Sequence, residues 1–252
     1  MRPSTAIATL AMFAAALYAQ ILLPITGQKA AVVVSGTPPT YQDSCQTAAA
    51  GGGGTTVGCT LTGVSSGDLL AGAFYISSTS YTVTHVATGC GGTVTLLDNP
   101  TNTTGSPRSG QWYAYNVTGG TCAVTVTYSG TGPSKAVLAH RISGALSASD
   151  PLDQHAITAT ALSNTICTDC LSSGSVTTTQ NNEYVFAACM ASVPTPLSAG
   201  TGYTQRLAPT DRGMTEDKTQ HVAGAVAGLC SRTTTTSSNV NMHIMTFKSV
   251  NP

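Results

Sequence analysis

The chain reads as all-β, an antiparallel β-sandwich of jelly-roll type stapled by disulfides, and three observations predict this. From Ala30 onward, short β-rich runs recur between Gly, Ser, Pro and Asn, at the spacing of a sandwich. No amphipathic helical stretch of convincing length interrupts them. Eight cysteines, an even number, lie along the chain: Cys45, Cys59, Cys90, Cys122, Cys167, Cys170, Cys189 and Cys230. In an exported chain they read as four bridges.

Export is read from the first residues. Arg2 supplies a positive start, Ala6 to Leu17 is a short apolar run, and Ala19 is a small residue at the cleavage position, the pattern of a secretory signal over 1–19. The run is shorter than the roughly 20 residues a bilayer span needs, so no stable membrane span is expected after cleavage near Gln20. Residues 20–54 read as an apolar N-terminal arm followed by a Gly-rich loop, and 55–252 as the sandwich domain. In the arm, Ile21, Leu22, Leu23, Ile25, Val32, Val33 and Val34 are too apolar to lie free in water. They either form a strand of their own sheet or add as a strand to a neighbouring molecule. Gly51 to Gly54 reads as a flexible loop enclosed by a Cys45 to Cys59 bridge.

The predicted strands, in order, are Ala31 to Ser35, Val57 to Thr62, Leu69 to Ser77, Tyr81 to Ala87, Thr93 to Leu97, Gln111 to Val117, Ala123 to Tyr128, Ala136 to Ser143, Glu183 to Met190, Gln220 to Ala227 and Asn241 to Lys248. Alternation is plainest in Cys122-Ala-Val-Thr-Val-Thr-Tyr128, where Cys122, Val124, Val126 and Tyr128 share one face. Strand order suggests pairing Cys45 with Cys59, Cys90 with Cys122, Cys167 with Cys170 and Cys189 with Cys230, although spacing alone leaves roughly a hundred connectivities open. Cys167-Thr-Asp-Cys170 also has the spacing of redox and zinc motifs, but neither a second such pair nor a His cluster completes one.

Only 8% of residues are charged, with ten basic against ten acidic. Ordinary soluble domains carry about 25%, so hydroxyls and not charges make this surface. Nucleic acid is not an expected partner, because nothing here attracts a phosphate backbone. Low charge also weakens the repulsion that keeps copies apart, which favours self-association.

Motifs for chemistry are sparse. Gly63-Val-Ser-Ser-Gly67 matches a nucleophile elbow centred on Ser65, but a strand follows it where a helix is required. His85, His140, His221 and His243 are scattered, so neither a metal nor a cofactor is expected. A glycosidase needs two carboxyls across a sugar. Asp150 with Asp153 and Glu216 with Asp217 are available, yet the first pair reads as a turn and the second faces opposite sides of a strand. In Trp112-Tyr-Ala-Tyr115, Trp112 faces away from Tyr113 and Tyr115, so one set should be exposed and able to stack on a glycan, unless both pack in the core. Asn102 and Asn116 head N-x-T sequons, candidate glycosylation sites.

The succession Trp112-Tyr-Ala-Tyr, Gly119-Gly120, Val124-Thr-Val-Thr-Tyr128, Ile142-Ser-Gly144, Asp150-Pro-Leu-Asp153, Ser173-Gly-Ser-Val-Thr-Thr178, Asn182-Glu-Tyr-Val-Phe186, Gly202-Tyr-Thr-Gln-Arg206 and Glu216-Asp217 resembles a widespread group of secreted bacterial β-sandwich modules, over about Gly67 to Lys248. The resemblance implies a jelly-roll, lectin-like domain without defining catalytic residues. The expectation is an exported structural or adhesive protein, a self-assembling filament or surface-layer subunit whose N-terminal strand makes the subunit contacts. A carbohydrate-binding module and a glycoside hydrolase are the alternatives.

Overall fold

Some strands are buried on both faces and others on one face only, and this difference sorts them into layers. The computed structural model describes residues 36–49, 54–78, 80–98, 108–131, 134–146, 149–162, 166–208, 212–235 and 238–250. The expected signal, the arm residues Ile21 to Val34, the strand Ala31 to Ser35 and the sequon at Asn102 lie outside these residues. Within them run β1 (Thr40–Ala49), β2 (Thr56–Val64), β3 (Leu69–Ile76), β4 (Val83–Thr88), β5 (Thr93–Leu97), β6 (Arg108–Tyr115), β7 (Gly120–Tyr128) and β8 (Lys135–Ser143). They are followed by β9 (Leu152–Leu162), β10 (Cys167–Thr177), β11 (Glu183–Ala191), β12 (Leu197–Ala199), β13 (Thr204–Leu207), β14 (Gly213–Gln220), β15 (Ala225–Arg232) and β16 (Ser238–Phe247).

All sixteen of these strands pair antiparallel, in four sheets: β1-β8-β3-β6-β5, β2-β7-β4, β13-β14-β11-β16-β9 and β10-β15-β12. The first half interleaves as a jelly roll does, with β1, β8, β3 and β6 in one sheet and β2, β7 and β4 in the other. Advancing each strand number by eight gives β9-β16-β11-β14-β13 and β10-β15-β12, the same two orders. The described residues therefore form two jelly rolls of identical topology, where the sequence suggested one sandwich over 55–252. A local detail repeats as well. Asp68, just before β3, accepts the N–H of Ser65, and Glu183, at the start of β11, accepts the N–H of Gln180, each three residues back.

The two five-stranded sheets face each other, and each carries a three-stranded sheet on its far side. Three apolar layers result, and β3 shows how one strand serves two of them. Leu70, Phe74 and Ile76 join Trp112, Val124, Val126 and Tyr128 in the core of the first jelly roll. Leu69, Ala71, Ala73 and Tyr75 face the second jelly roll, meeting Tyr184, Phe186, Met190, Met245 and Phe247. The third layer holds Leu171, Cys189, Met214, Cys230 and Met242. Every residue of β3 and β11 is buried, whereas β2 alternates, with Thr56 and Thr60 exposed and Val57 and Leu61 buried. A sheet covered on both faces reads as a continuous apolar run, and one that is half wet alternates. Gly72 makes room for the one tryptophan: a Cβ there would stand 2.7 Å from the Trp112 ring.

The cysteines pair Cys45 with Cys59, Cys90 with Cys122, Cys167 with Cys170 and Cys189 with Cys230, the pairs that strand order suggests. Cys45–Cys59 ties β1 to β2 across the first sandwich, and Cys189–Cys230 ties β11 to β15 across the second. Four such bridges fit an oxidising compartment.

Three expectations need correction. Residues 40–49 are not part of an arm: they form β1, held along their length by β8. The single strand expected over Gln220 to Ala227 is the end of β14, a turn and the start of β15, because Val222, although apolar, is 69% exposed in that turn. Strands β9 and β10 are absent from the predicted strands; their Thr, Ser and Ala residues give no clear alternation, and pairing with β16 and β15 decides their conformation.

Candidate functional site

Where the two jelly rolls meet, the apolar layer gives way to polar side chains, and a cleft of about 250 Å³ opens there. Pro39, just before β1, and Thr40 and Tyr41 at its start form one wall, Tyr184 from β11 the floor, and Thr204, Arg206, Asp217, Lys218 and Thr219 from β13 and β14 the other wall. Thr204 stands opposite Asp217 across the β13–β14 pairing, and Thr219 lies two residues along the same strand, so their side chains share Asp217's face.

Arg206 is held in two ways. Its Nε donates to Asp217 Oδ1 at 2.7 Å, and its guanidinium lies 4.1 Å from the centre of the Tyr41 ring. Burial works against the arginine's charge, and the Asp217 carboxylate outweighs it, so its pKa is raised. Behind Asp217 the Tyr184 hydroxyl is 3.0 Å from His140 Nδ1, and His140 Nε2 is 2.6 Å from the Thr215 hydroxyl. His140 also packs edge-on against Tyr41 and Phe186. Complete burial pushes the His140 pKa down to about 3, with Arg206 adding to the effect, so the ring is neutral and bridges two hydroxyls. Burial of Tyr184, with Asp217 beside it, raises its hydroxyl well above the ordinary range.

A second polar cluster lies deeper between the same sheets. Ser109 Oγ is 2.8 Å from His243 Nε2, and Asn241 Nδ2 donates to Ser109 at 2.7 Å. This has the look of a nucleophile and its base, yet Ser109 and His243 have no exposed surface, and burial drives the histidine's pKa to about 3. A substrate cannot reach the hydroxyl, so the pair is an interface contact.

The other sequence candidates separate. Trp112 is fully buried and Tyr113 is 1% exposed. Of the two readings of Trp112, Tyr113 and Tyr115, a glycan platform or core packing, the buried Trp112 and Tyr113 follow the second, because β6 lies in a sheet covered on both faces. Tyr115, half-buried, stacks on Tyr113 at 6.2 Å, and the Tyr113 hydroxyl donates to Asp150, its own pKa pushed up to about 12 chiefly by burial. Ser65 sits in the turn between β2 and β3, and a strand, not a helix, follows it. Asp150 accepts the Leu152 N–H and caps the start of β9, while Asp153 accepts both the amide and the hydroxyl of Thr179. Glu216 points into the second jelly roll, accepting the Gly200 N–H, whereas Asp217 points into the cleft. The carboxyls of each pair thus have separate partners, Glu216 and Asp217 on opposite sides of β14 as strand alternation requires. Asn116 is exposed in a left-handed turn after β6 (φ 59°), open to modification. Among the described residues, His, Cys, Asp and Glu side chains form no group able to hold a metal ion.

Sequence reasoning missed Tyr41, Tyr184 and Arg206 as a group. They come from β1, β11 and β13, and no motif links residues so far apart. It also missed Glu183, which burial, with Asp153 alongside, raises to about 7. No family model, no characterised protein and no solved structure matches the chain.

Proposed function

We propose that the protein is an exported structural subunit that assembles with copies of itself, its N-terminal segment adding as a strand to a neighbour. The observation that carries this reading is an open sheet edge. An eight-stranded jelly roll has two four-stranded sheets, with its fifth strand beside its fourth. Here β5 pairs with β6 instead, leaving β4 at the edge of a three-stranded sheet, and β13 does the same beside β14, leaving β12 at an edge. Each outer sheet is thus one strand short of the four of an eight-stranded jelly roll.

The chain supplies a segment of matching character. Ile21, Leu22, Leu23, Ile25, Val32, Val33 and Val34 stand ahead of β1, and a donated strand gains main-chain hydrogen bonds along an edge while its alternate side chains fill the gap below. Val94 and Leu96 of β5 and Tyr81 before β4 are only partly buried at the rim of the first core. Burying several apolar side chains at roughly 1.5 to 3 kcal/mol each offsets the cost of ordering the segment. Donation from one copy to the next is head-to-tail, a geometry that extends into a filament when it does not close into a ring. A chain in which 8% of residues are charged opposes such contacts little.

The test is deletion of Ile21 to Val34 with the leader retained. The truncated protein is expected to be monomeric by light scattering at concentrations where the full chain associates. A synthetic peptide spanning Gln20 to Ser35 is expected to bind it and shift the amide resonances of β4. Assembly of the truncated chain to the same extent as the full chain overturns the proposal.

A further inference from the structure

We propose that the cleft between Tyr41 and Arg206 binds a carboxylate-bearing sugar of the hexuronate class. Arg206 is committed to the fold through only part of its guanidinium. Nε faces Asp217, and one face of the group lies on Tyr41, while neither Nη nitrogen has a partner among the described residues. The side chain keeps 30% of its surface accessible, against 4% for Asp217. A planar fork immobilised in this way offers parallel N–H donors that match the two oxygens of a carboxylate. Little side-chain freedom remains to be lost when it binds.

The rest of the cleft suits a polyhydroxylated ligand. Thr204 and Thr219 place hydroxyls on the same wall as Arg206, and the partly exposed Tyr41 adds an aromatic edge. Its volume of about 250 Å³ lies just under the ~300 Å³ at which sites for drug-sized ligands begin, and so suits a ligand as small as one sugar. The buried chain of Asp217, Tyr184, His140 and Thr215 joins β8, β11 and β14, so the wall that carries Arg206 is anchored to both jelly rolls. That rigidity favours a site assembled before its ligand arrives.

The experiment titrates isotope-labelled protein with glucuronate, glucose and acetate, following amide resonances. Glucuronate is expected to give saturable shifts at Tyr41, Thr204 and Thr219, and to bind at least tenfold more tightly than glucose or acetate. Arg206→Lys keeps the charge beside Asp217 and removes the fork, and it is expected to weaken glucuronate at least tenfold with the thermal midpoint preserved. If Arg206→Lys fails to fold, Thr204→Val decides instead: it should weaken glucuronate severalfold and leave acetate unchanged. Absence of saturable shifts, acetate binding as tightly as glucuronate, or variants that bind like the parent overturn the proposal.

Discussion

Trp112 and Glu216 occupy the same position in the two jelly rolls. Trp112 pairs across the sheet with Gly72, four residues after Asp68, and Glu216 pairs with Ala187, four residues after Glu183. Both side chains point into the core between a five-stranded and a three-stranded sheet. One repeat fills that place with an indole over a glycine. The other fills it with a carboxyl that accepts the Gly200 N–H and is raised to about 8, chiefly by burial. The two halves thus keep one topology with different interior chemistry, and their responses to mutation and pH differ accordingly.

In the first jelly roll, Gly72→Ala pushes a methyl group against the Trp112 ring and the Leu138 carbonyl. Overpacking of this kind costs about 1 to 3 kcal/mol. Denaturant unfolding followed by far-ultraviolet circular dichroism, a signal that every variant of the cycle retains, should show the loss. Replacing Trp112 by Phe in the Gly72→Ala background should recover part of it, as a double-mutant cycle between contacting residues requires. Additive losses would show that the two residues do not press on each other.

Stability should form a plateau in pH and fall on both sides. His140 and His243 titrate near 6.5 in the unfolded chain and near 3 in the fold, so their contribution is complete above 6.5 and is lost as pH falls toward 3. Glu183 and Glu216 titrate near 4.5 unfolded and near 7 and 8 folded; their contribution is complete below 4.5 and is lost as pH rises to 7 and 8. Between about 4.5 and 6.5 the two opposing trends offset each other. Thermal melts across pH 3 to 9 should show this plateau, and His140→Phe, if folded, should soften the acid fall. A midpoint that climbs steadily from pH 5 to pH 8 would contradict the assignment.

The bridges should differ in worth. In the loop-entropy account, a bridge spanning the separation of 41 between Cys189 and Cys230 contributes about 4 kcal/mol, and one spanning the separation of 3 between Cys167 and Cys170 under about 2. Replacing each pair by Ala and comparing midpoints in denaturant checks the order. The local pair proving the costlier to lose would refute it.

Export predicts a particular mature chain. Intact-mass measurement of natively expressed protein should find a start at or near Gln20 and no thiol that alkylates without prior reduction. Recovery of Met1 would remove the leader from the account.

Much of this architecture could be read in the sequence, for identifiable reasons. Leu69 to Ser77 and Glu183 to Met190 stood out because strands buried on both faces must be apolar throughout, and Ala123 to Tyr128 because a half-wet strand must alternate. Strands β9, β10 and β14 did not stand out, since Thr, Ser and Ala suit strand, turn or loop, and their conformation is set by partners distant in sequence. The duplication was hidden for a related reason. A jelly roll constrains strand order and burial more than residue identity, so Trp112 and Glu216 share a place without sharing chemistry. The cleft was least legible, because Tyr41, Tyr184 and Arg206 become neighbours only when the two jelly rolls pack together.

The claim that this is a self-assembling subunit is tested most directly by electron microscopy of the mature protein purified in its oxidised form and concentrated. The expected result is filaments or sheets whose subunits repeat head to tail, with extra density for a fourth strand beside β4 or β12. Dispersed single particles of one chain at every concentration, with Ile21 to Val34 paired inside their own fold, would contradict it.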